Sequence, residues 1–198
     1  MARPTVNPPE VLEFHVVTPD RWEDFETLFG ESGACDGCWC MWNRQTQAEY
    51  NANRGAANRQ QMHDIIHDDG RPGILAFLDG EPAGWCSVAP RETFVRLARS
   101  PVMKPIDDTP VWSIVCFYVD RAARGRGLTV ALLEAAKEYV REQGGSVLEG
   151  YPVDPQGERV SPTSAWYGFA SAFAEAGFVE VARRKKTRPI VRFDLDAT

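Results

Sequence analysis

The sequence predicts an α/β protein in which helices flank a mixed, mostly antiparallel sheet that contains one parallel strand pair. Two observations support this fold class. An Asp79-Gly80 turn lies between two short apolar runs, which signals a β-hairpin. Further on, an apolar strand-like run, a glycine-rich turn over residues 124–129 and a helix-like run follow one another. That helix is long enough for a right-handed crossover to a parallel neighbouring strand.

The first half of the chain is predicted to begin with a strand over residues 13–18. A helix follows Thr18-Pro19-Asp20, where proline favours a first helical turn, and it stops at Gly30. A second helix is predicted over residues 46–68, although Gly55 weakens it. The remaining elements of this half are a hairpin of residues 74–78 and 83–89 and a short helical insertion at residues 91–98.

In the second half, the most apolar run predicts a fourth strand at Trp112–Val119. The helix after it should span residues 127–143 and end at two glycines. The other predicted elements are a strand at residues 147–150, a polar loop at 152–162, a helix at 164–176 and a closing hairpin of residues 178–183 and 189–195.

Composition predicts one globular domain over residues 11–198, preceded by a loose lead-in of residues 1–10. The chain has 198 residues, 43% of them hydrophobic, a net charge of -6 and a pI near 5.2. This charge argues against nucleic-acid binding, and the basic cluster at residues 183–188 is interpreted as a solvated hairpin turn. Without a membrane-length apolar run or a signal-peptide core, the protein is expected to be cytoplasmic, with no membrane partner and reduced thiols.

The turn at residues 124–129 has the features of a phosphate-binding loop. Gly125 and Gly127 allow the backbone to approach an anion closely, and the first amides of the next helix have no acceptor within it. Arg124 and Arg126 add positive charge to the same turn. A phosphate-bearing ligand is therefore predicted here.

This turn and its context resemble the GNAT superfamily of acyl-CoA-dependent N-acyltransferases. The fingerprint Q/R-x-x-G-x-G/A is matched by Arg124 and Gly127, with Thr129 where Gly or Ala is usual, and Ala176-Gly177-Phe178 resembles the near-terminal Gly-Phe of the family. The resemblance covers residues 11–196. It implies the GNAT fold, in which the fourth and fifth strands part, and direct transfer of an acetyl group from acetyl-CoA to a primary amine in a ternary complex.

By the same resemblance, the CoA pantetheine lies between the parting strands and an amide of Tyr118 or Val119 polarises the thioester carbonyl. Many members are dimers, so the resemblance allows a homodimer. The residues expected to contact CoA are Phe117, Tyr118, Val119, Arg124, Gly125, Arg126, Gly127, Leu128 and Thr129.

The catalytic residues of the family do not transfer directly. Many members carry a carboxylate on the fourth strand, which is absent from Trp112–Val119, and a tyrosine at the position of Phe173. The candidate replacements are Asp154, Tyr151 and Tyr167. The alternative interpretations are that Asp154 caps a turn and that the two tyrosines only pack in the core. The absences also leave open a non-catalytic module that binds an acyl-CoA or another small ligand.

The loop that joins the first two helices is predicted to form the acceptor pocket. Aromatic side chains there would give an apolar wall and would engage a cation, and the acidic chain suits a cationic acceptor such as a polyamine, an aminoglycoside-like molecule or an amino acid. The loop pattern resembles a bacterial GNAT subgroup. The predicted substrate-binding residues are Cys38, Trp39, Cys40, Met41 and Trp42.

A zinc site is the alternative interpretation of this loop. Cys35 and Cys38 have ligand spacing, Cys40 adds a third thiolate, and His63 and His67 lie on one face of a predicted helix. There is no second C-x-x-C pair, so no bound metal is expected. The other two cysteines, Cys86 and Cys116, lie within strands and are interpreted as small buried hydrophobes.

Overall fold

A computed structural model describes residues 11–158, 160 and 165–197. The predicted lead-in at residues 1–10 and the predicted start of the last helix at residue 164 lie outside this part of the chain. Among the described residues, no helix combines the length and the apolar composition needed to cross a membrane.

Within the described residues, the fold is built from seven strands, β1 to β7, and six α-helices, α1 to α6, together with short helical turns. The strands are β1 Leu12–Val16, β2 Gly73–Leu78, β3 Glu81–Pro90, β4 Trp112–Val119, β5 Val147–Gly150, β6 Val179–Lys185 and β7 Arg188–Asp194. The helices are α1 Trp22–Phe29, α2 Gln47–Asn53, α3 Ala56–His67, α4 Val95–Arg99, α5 Leu128–Glu142 and α6 Ala170–Glu175.

The strands form one sheet in the order β1-β2-β3-β4-β5-β7-β6. All neighbouring pairs are antiparallel except β4 and β5, which are parallel. The parallel pairing ends at Ile114 and Gly150, whereas β4 continues to Val119. This confirms the predicted mixed α/β fold with flanking helices and a splayed β4-β5 pair.

Each face of the sheet has its own core. On one face, α5 and α6 pack against β2, β3 and β4 through residues such as Leu132, Ala136 and Phe173. On the other face, α1, α3 and the loop after α1 pack against β2 and β3, with Trp85 at the centre. A smaller cluster around Tyr151 and Tyr167 continues this second face toward β7.

The prediction of one continuous helix at residues 46–68 is wrong. It forms two helices, α2 and α3, which Gly55 separates with a φ of 82°. Thr46 caps α2 with a capping box formed with Glu49, which stabilises the start of the helix. The helix does not continue through Gly55, because the left-handed conformation of that residue is not helical.

The predicted helix at residues 164–176 is wrong over its first part. α6 begins only at Ala170, because Gly168 has a φ of 78° and residues 165–168 form a turn in which the Gly168 amide donates to the Ala165 carbonyl at 2.8 Å. Their backbone groups bond to β4 and to the segment after β5: the Phe117 amide donates to the Trp166 carbonyl at 2.6 Å, and the Val153 amide donates to the Gly168 carbonyl at 2.8 Å.

The remaining sequence predictions differ from the structure mainly at element ends. The strands at Trp112–Val119 and Val147–Gly150 are confirmed. Residues 91–98, predicted as one insertion, form a 3-10 turn and the short helix α4. The basic residues 183–186 are exposed near the β6-β7 turn, as predicted, whereas Arg188, the last residue of the predicted solvated cluster, is half-buried.

The close packing of β5 against α6 gives a test of this arrangement. A β-carbon at Gly150 would overlap the Phe173 ring, so Gly150→Ala is expected to lower the free energy of unfolding by about 1–3 kcal/mol. Gly84→Ala is the matched control on β3, since its nearest contact is Leu132 Cδ1 at 3.2 Å. Urea unfolding should give the larger loss for Gly150→Ala; equal losses would contradict the packing described.

Candidate functional site

The glycine turn joins the end of β4 to α5. Gly125 and Gly127 have φ values of 79° and 75°, which favour glycine, and a β-carbon at either would meet no atom within 4 Å. The amides of Val130 and Ala131 donate to the Gly127 carbonyl, so the amides of Leu128 and Thr129 precede the first bonds of the helix. The turn thus presents helix amides beside open space, as a phosphate site requires.

Arg124 connects this turn to the sheet. Its Nε donates to the Val119 carbonyl at 3.1 Å, and Asp120 caps the intervening turn by accepting from the Ala122 amide at 2.8 Å. Arg126 is exposed on the same turn. The two arginines therefore lie at the end of β4 as the sequence predicts.

The backbone amides of β4 alternate in direction beyond its pairing with β5. The Asp120 amide donates to Ala83 on the β3 side, whereas the Phe117 amide donates to Trp166 on the β5 side. By alternation, the Val119 amide faces the gap between the parted strands and the Tyr118 amide faces β3. Of the two predicted thioester donors, the Val119 amide faces the gap; the Tyr118 amide does not.

The loop after α1 is more deeply buried than an open pocket wall would be. Trp39 stacks on Phe29 with ring centroids 5.8 Å apart, and Met41 is also buried. Cys40 Sγ accepts from Trp85 Nε1 at 2.7 Å. Three of the five residues predicted to bind the acceptor substrate, Trp39, Cys40 and Met41, are therefore buried in the core around Trp85. The other two, Cys38 and Trp42, are partly exposed.

Trp42 contacts several side chains on the same face of the sheet. Its ring lies edge-on to Tyr50 at 4.8 Å and to Trp166 at 5.9 Å, measured between centroids. The Arg96 guanidinium lies 3.8 Å from the Trp42 ring centroid. We call Trp42, Tyr50, Arg96 and Trp166 the Trp42 cluster.

Three of the cysteines influence one another. Cys40 Sγ lies 3.3 Å from Cys116 Sγ on β4, and burial raises the pKa of the Cys40 thiol well above its usual value. A hydrogen bond from Cys40 lowers the pKa of Cys38 to about 7. Cys116 is half-buried and packs against two apolar clusters, whereas Cys86 is fully buried as predicted.

The alternative zinc ligands are not brought together. The rings of His63 and His67 stack with centroids 3.8 Å apart, next to Trp22, and Cys35 is exposed on the loop. Across the part of the chain that the structure describes, no three His, Cys, Asp or Glu side chains form a group that could hold a metal ion.

Sequence reasoning missed a buried ionic network on β5. Glu149 is 1% exposed, and its Oε1 accepts from Arg91 Nη1 at 2.8 Å and from the Tyr151 hydroxyl at 2.6 Å. Its Oε2 accepts from Arg192 Nε at 2.8 Å. The Tyr151 hydroxyl also lies 2.9 Å from Ser113 Oγ. Burial, followed by the nearby Glu149 carboxylate, raises the pKa of Tyr151 well above its usual value.

Asp154 is engaged in an ion pair outside this network. Its Oδ2 lies 2.7 Å from Arg183 Nη1, and its Oδ1 accepts from the Gln156 amide at 3.2 Å. The hydrogen bond with Arg183 lowers the pKa of Asp154. A carboxylate with a lowered pKa is a weak proton acceptor, so this geometry favours the capping interpretation over the catalytic one.

Tyr167 lies closest to the irregular part of β4. Its hydroxyl donates to Asn43 Oδ1 at 2.7 Å, and Asn43 Nδ2 donates to the Val115 carbonyl at 3.2 Å. Val115 lies where the β3-β4 register shifts. Burial raises the pKa of Tyr167 to about 12, so the hydroxyl is protonated at neutral pH. Among the three predicted catalytic residues, Tyr167 is the one linked to the bulge of β4.

These features define a class of protein: an α/β fold in which parting parallel strands adjoin a glycine turn suited to phosphate. The chain belongs to the acetyltransferase (GNAT) family, whose model matches residues 36–156. A comparison with curated proteins gives no match.

Solved structures share the fold across nearly the whole chain. A GNAT-family protein from Desulfovibrio desulfuricans is 18% identical, with a TM-score of 0.52 over 93% of this chain and 99% of that one. PaiA N-acetyltransferase from Thermoplasma acidophilum, solved with coenzyme A, is 12% identical with the same TM-score and coverage. A GNAT-family acetyltransferase from Listeria monocytogenes is 12% identical, with a TM-score of 0.55 over 92% and 94% of the chains.

The pKa of Cys38 can be tested by its reactivity. Because the thiolate is the reactive form, alkylation of Cys38 by iodoacetamide is expected to reach half its maximal rate near pH 7. Cys35, whose pKa burial raises, is the internal control and should react at higher pH. Cys40→Ala should move the Cys38 midpoint upward by removing the hydrogen bond. Mass spectrometry of each labelled peptide gives the rates, and a Cys38 midpoint at or above that of Cys35 would contradict the assignment.

Proposed function

We propose that this protein is an N-acetyltransferase that moves an acetyl group from acetyl-CoA to a primary amine of a small molecule or peptide. The observation that carries the proposal is the phosphate-type turn at the end of β4, directly beside the gap that β5 leaves. In direct transfer, the amine nitrogen bonds to the acyl carbon, the carbon–sulfur bond breaks, the amine loses a proton and the thiolate takes one up.

The turn is proposed to hold the CoA pyrophosphate. The amides of residues 126–129 and the positive end of the α5 dipole favour an anion, and Arg124 adds charge. The open space beside Gly125 and Gly127 fits a close approach of phosphate oxygens. The coenzyme A complex of the Thermoplasma protein, which shares this fold, supports the same donor here.

The reacting thioester is proposed to lie along the last residues of β4. The Val119 amide, which faces the gap, is positioned to donate to the thioester carbonyl and stabilise the oxyanion that forms during attack. The Phe117 amide faces the same gap but already donates to the Trp166 carbonyl. Binding that uses both amides therefore requires the Trp166 carbonyl to move away.

Tyr167 is proposed to donate the proton that the departing thiolate takes up. Its hydroxyl is protonated at neutral pH and hydrogen-bonds Asn43, which in turn bonds the β4 backbone. Tyr151 and Asp154 are proposed to support the site structurally, because each already has strong partners. We also propose that the protein belongs to a bacterial GNAT subgroup that carries a Cys-Trp-Cys-Met-Trp loop, here residues 38–42.

A second candidate function is a non-catalytic acyl-CoA binding module. The occupied Phe117 amide and the phenylalanine at position 173 favour it. Turnover separates the two: CoA binding without release of CoA thiol across a broad amine panel would support the module and contradict the transferase.

The donor site can be tested with two matched glycine changes at the ends of α5. Gly127→Ala and Gly144→Ala both place a β-carbon on a left-handed residue, with φ values of 75° and 76°, and neither β-carbon meets an atom within 4 Å. The conformational cost, about 1–2 kcal/mol, is expected to be equal. Only Gly127→Ala should weaken acetyl-CoA binding, by roughly tenfold or more, because it distorts the phosphate amides.

Isothermal titration with acetyl-CoA measures this difference directly. Absence of binding by the wild-type protein at high micromolar concentration would remove the proposed function. Equal affinity of the two glycine variants would remove the assignment of the turn.

The proton donor can be tested by removing one hydroxyl. Tyr167→Phe is expected to lower kcat by about a hundredfold or more while leaving CoA affinity unchanged, since general acid catalysis contributes roughly 10²–10⁴ in rate. Tyr139→Phe is the control, because its hydroxyl bonds the Arg71 carbonyl at 3.4 Å on the other face. Release of CoA thiol gives the rates, and full activity of Tyr167→Phe would show that another group supplies the proton.

A further inference from the structure

The Trp42 cluster contains buried hydrogen-bond donors without acceptors. Among the described residues, Arg96 Nε and Nη2 and the Trp166 indole Nε1 have no hydrogen-bond partner although all three atoms are buried. A buried donor left without an acceptor is unfavourable, so such groups in a protein are normally satisfied by water or a ligand. Two residues that contact the same tryptophan ring share this property.

The two unpartnered nitrogens of Arg96 form one edge of its guanidinium. Nε and Nη2 present parallel N–H groups on that edge, the geometry that matches the two oxygens of a carboxylate. Its remaining nitrogen, Nη1, donates to Gln47 Oε1 at 3.0 Å, and the guanidinium plane rests on Trp42. The side chain is thus held in place with its carboxylate-binding edge unused.

The charges around the cluster also favour an anion. Burial lowers the pKa of Arg96 because its charged guanidinium is removed from water, and an anion would offset that effect. The group that accepts from Nη1, the Gln47 side-chain amide, is neutral. The Arg188 guanidinium lies 4.8 Å from the centroid of the Tyr167 ring and donates to the Tyr151 carbonyl at 2.9 Å, again to a neutral group. This part of an acidic protein is locally basic, which the net charge of the chain does not reveal.

The cluster connects directly to the proposed reaction centre. The Arg96 amide donates to the Asn43 carbonyl at 3.4 Å, and the Asn43 side chain bonds both Tyr167 and β4. Trp166 precedes Tyr167 and accepts from the Phe117 amide through its carbonyl. Arg96 and Trp166 are therefore both linked to β4, Arg96 through Asn43 and Trp166 through its own carbonyl.

From this geometry we propose that the acetyl acceptor is a small amine that also carries a carboxylate, such as an amino acid, and that Arg96 and Trp166 bind the carboxylate. The inference rests on the proposed transferase function and names its acceptor class. Of the three acceptors that the net charge suggests, it selects the amino acid over the polyamine and the aminoglycoside-like molecule.

The test compares amines that differ only by a carboxylate. Isothermal titration, with and without saturating CoA, would use the protein amino acids, β-alanine and γ-aminobutyrate, and for each binder the amine that lacks the carboxylate, such as phenethylamine for phenylalanine. At least one acid-bearing amine should bind tenfold or more tightly than its partner, as expected for a bidentate charge-assisted pair.

Three variants locate the carboxylate site. Arg96→Gln should abolish the preference for the acid-bearing amine, and Trp166→Phe, which removes the indole N–H but keeps an aromatic ring, should reduce it. Arg99→Gln, an exposed arginine on the same helix α4, should leave it unchanged. Circular dichroism melting and CoA titration of each variant confirm that the fold and the donor site are intact.

The outcomes separate this inference from the proposed function. Equal affinity within every pair, binding of none of the acid-bearing amines, or an unchanged preference in Arg96→Gln would overturn the acceptor assignment while acetyl-CoA binding still stands. Failure of acetyl-CoA to bind would instead remove the transferase proposal, and the amine titration without CoA would still report on the carboxylate site.

Discussion

Beyond Ile114 and Gly150 the parallel strands β4 and β5 no longer pair, and the remaining amides of β4 must find acceptors elsewhere. An unpaired buried amide is unfavourable, so carbonyl groups from other segments pair with this edge of β4. The Trp166 carbonyl takes the Phe117 amide, while the Val119 amide faces the gap. The gap ends at the glycine turn that begins α5. Strand separation, an amide that faces the gap and the adjoining glycine turn therefore arise together from one break in the sheet.

The face of the sheet opposite α5 is fixed by polar contacts rather than by apolar packing alone. Glu149 binds Arg91 and Arg192 in the interior and holds Tyr151 against β5. Removing one partner of a buried ion pair generally costs about 3–5 kcal/mol, so this network keeps the end of β5 in one position. The Trp42 cluster, on the same face, contrasts with it because Arg96 keeps donors that no described group satisfies. Arg91 and Arg192 thus have a carboxylate partner within the protein, whereas the Nε and Nη2 groups of Arg96 have no partner among the described residues.

The sequence predicts the elements whose causes are local. Trp112–Val119, the glycine turn and Val147–Gly150 are identified from apolar runs and glycines, and each is found where predicted. Local signals fail where long-range contacts decide: residues 165–169 are helix-compatible in composition, yet residues 165–168 form a turn whose carbonyls accept from the Phe117 amide of β4 and from the Val153 amide. Glu149 and Arg96 carry no sequence pattern, since their importance depends on which side chains the fold brings to them. Likewise, the net charge of the chain does not report the basic character near Tyr167.

The proposed acetyl-CoA site consists of the gap beyond Ile114 and the adjoining glycine turn. Hydrogen–deuterium exchange with and without acetyl-CoA tests it most directly, since it reads the backbone amides themselves. Exchange is expected to slow at Val119 and over residues 126–129 when acetyl-CoA is added, with the amides at the far end of α5 unchanged. Protection elsewhere, with Val119 and the turn unaffected, would contradict it.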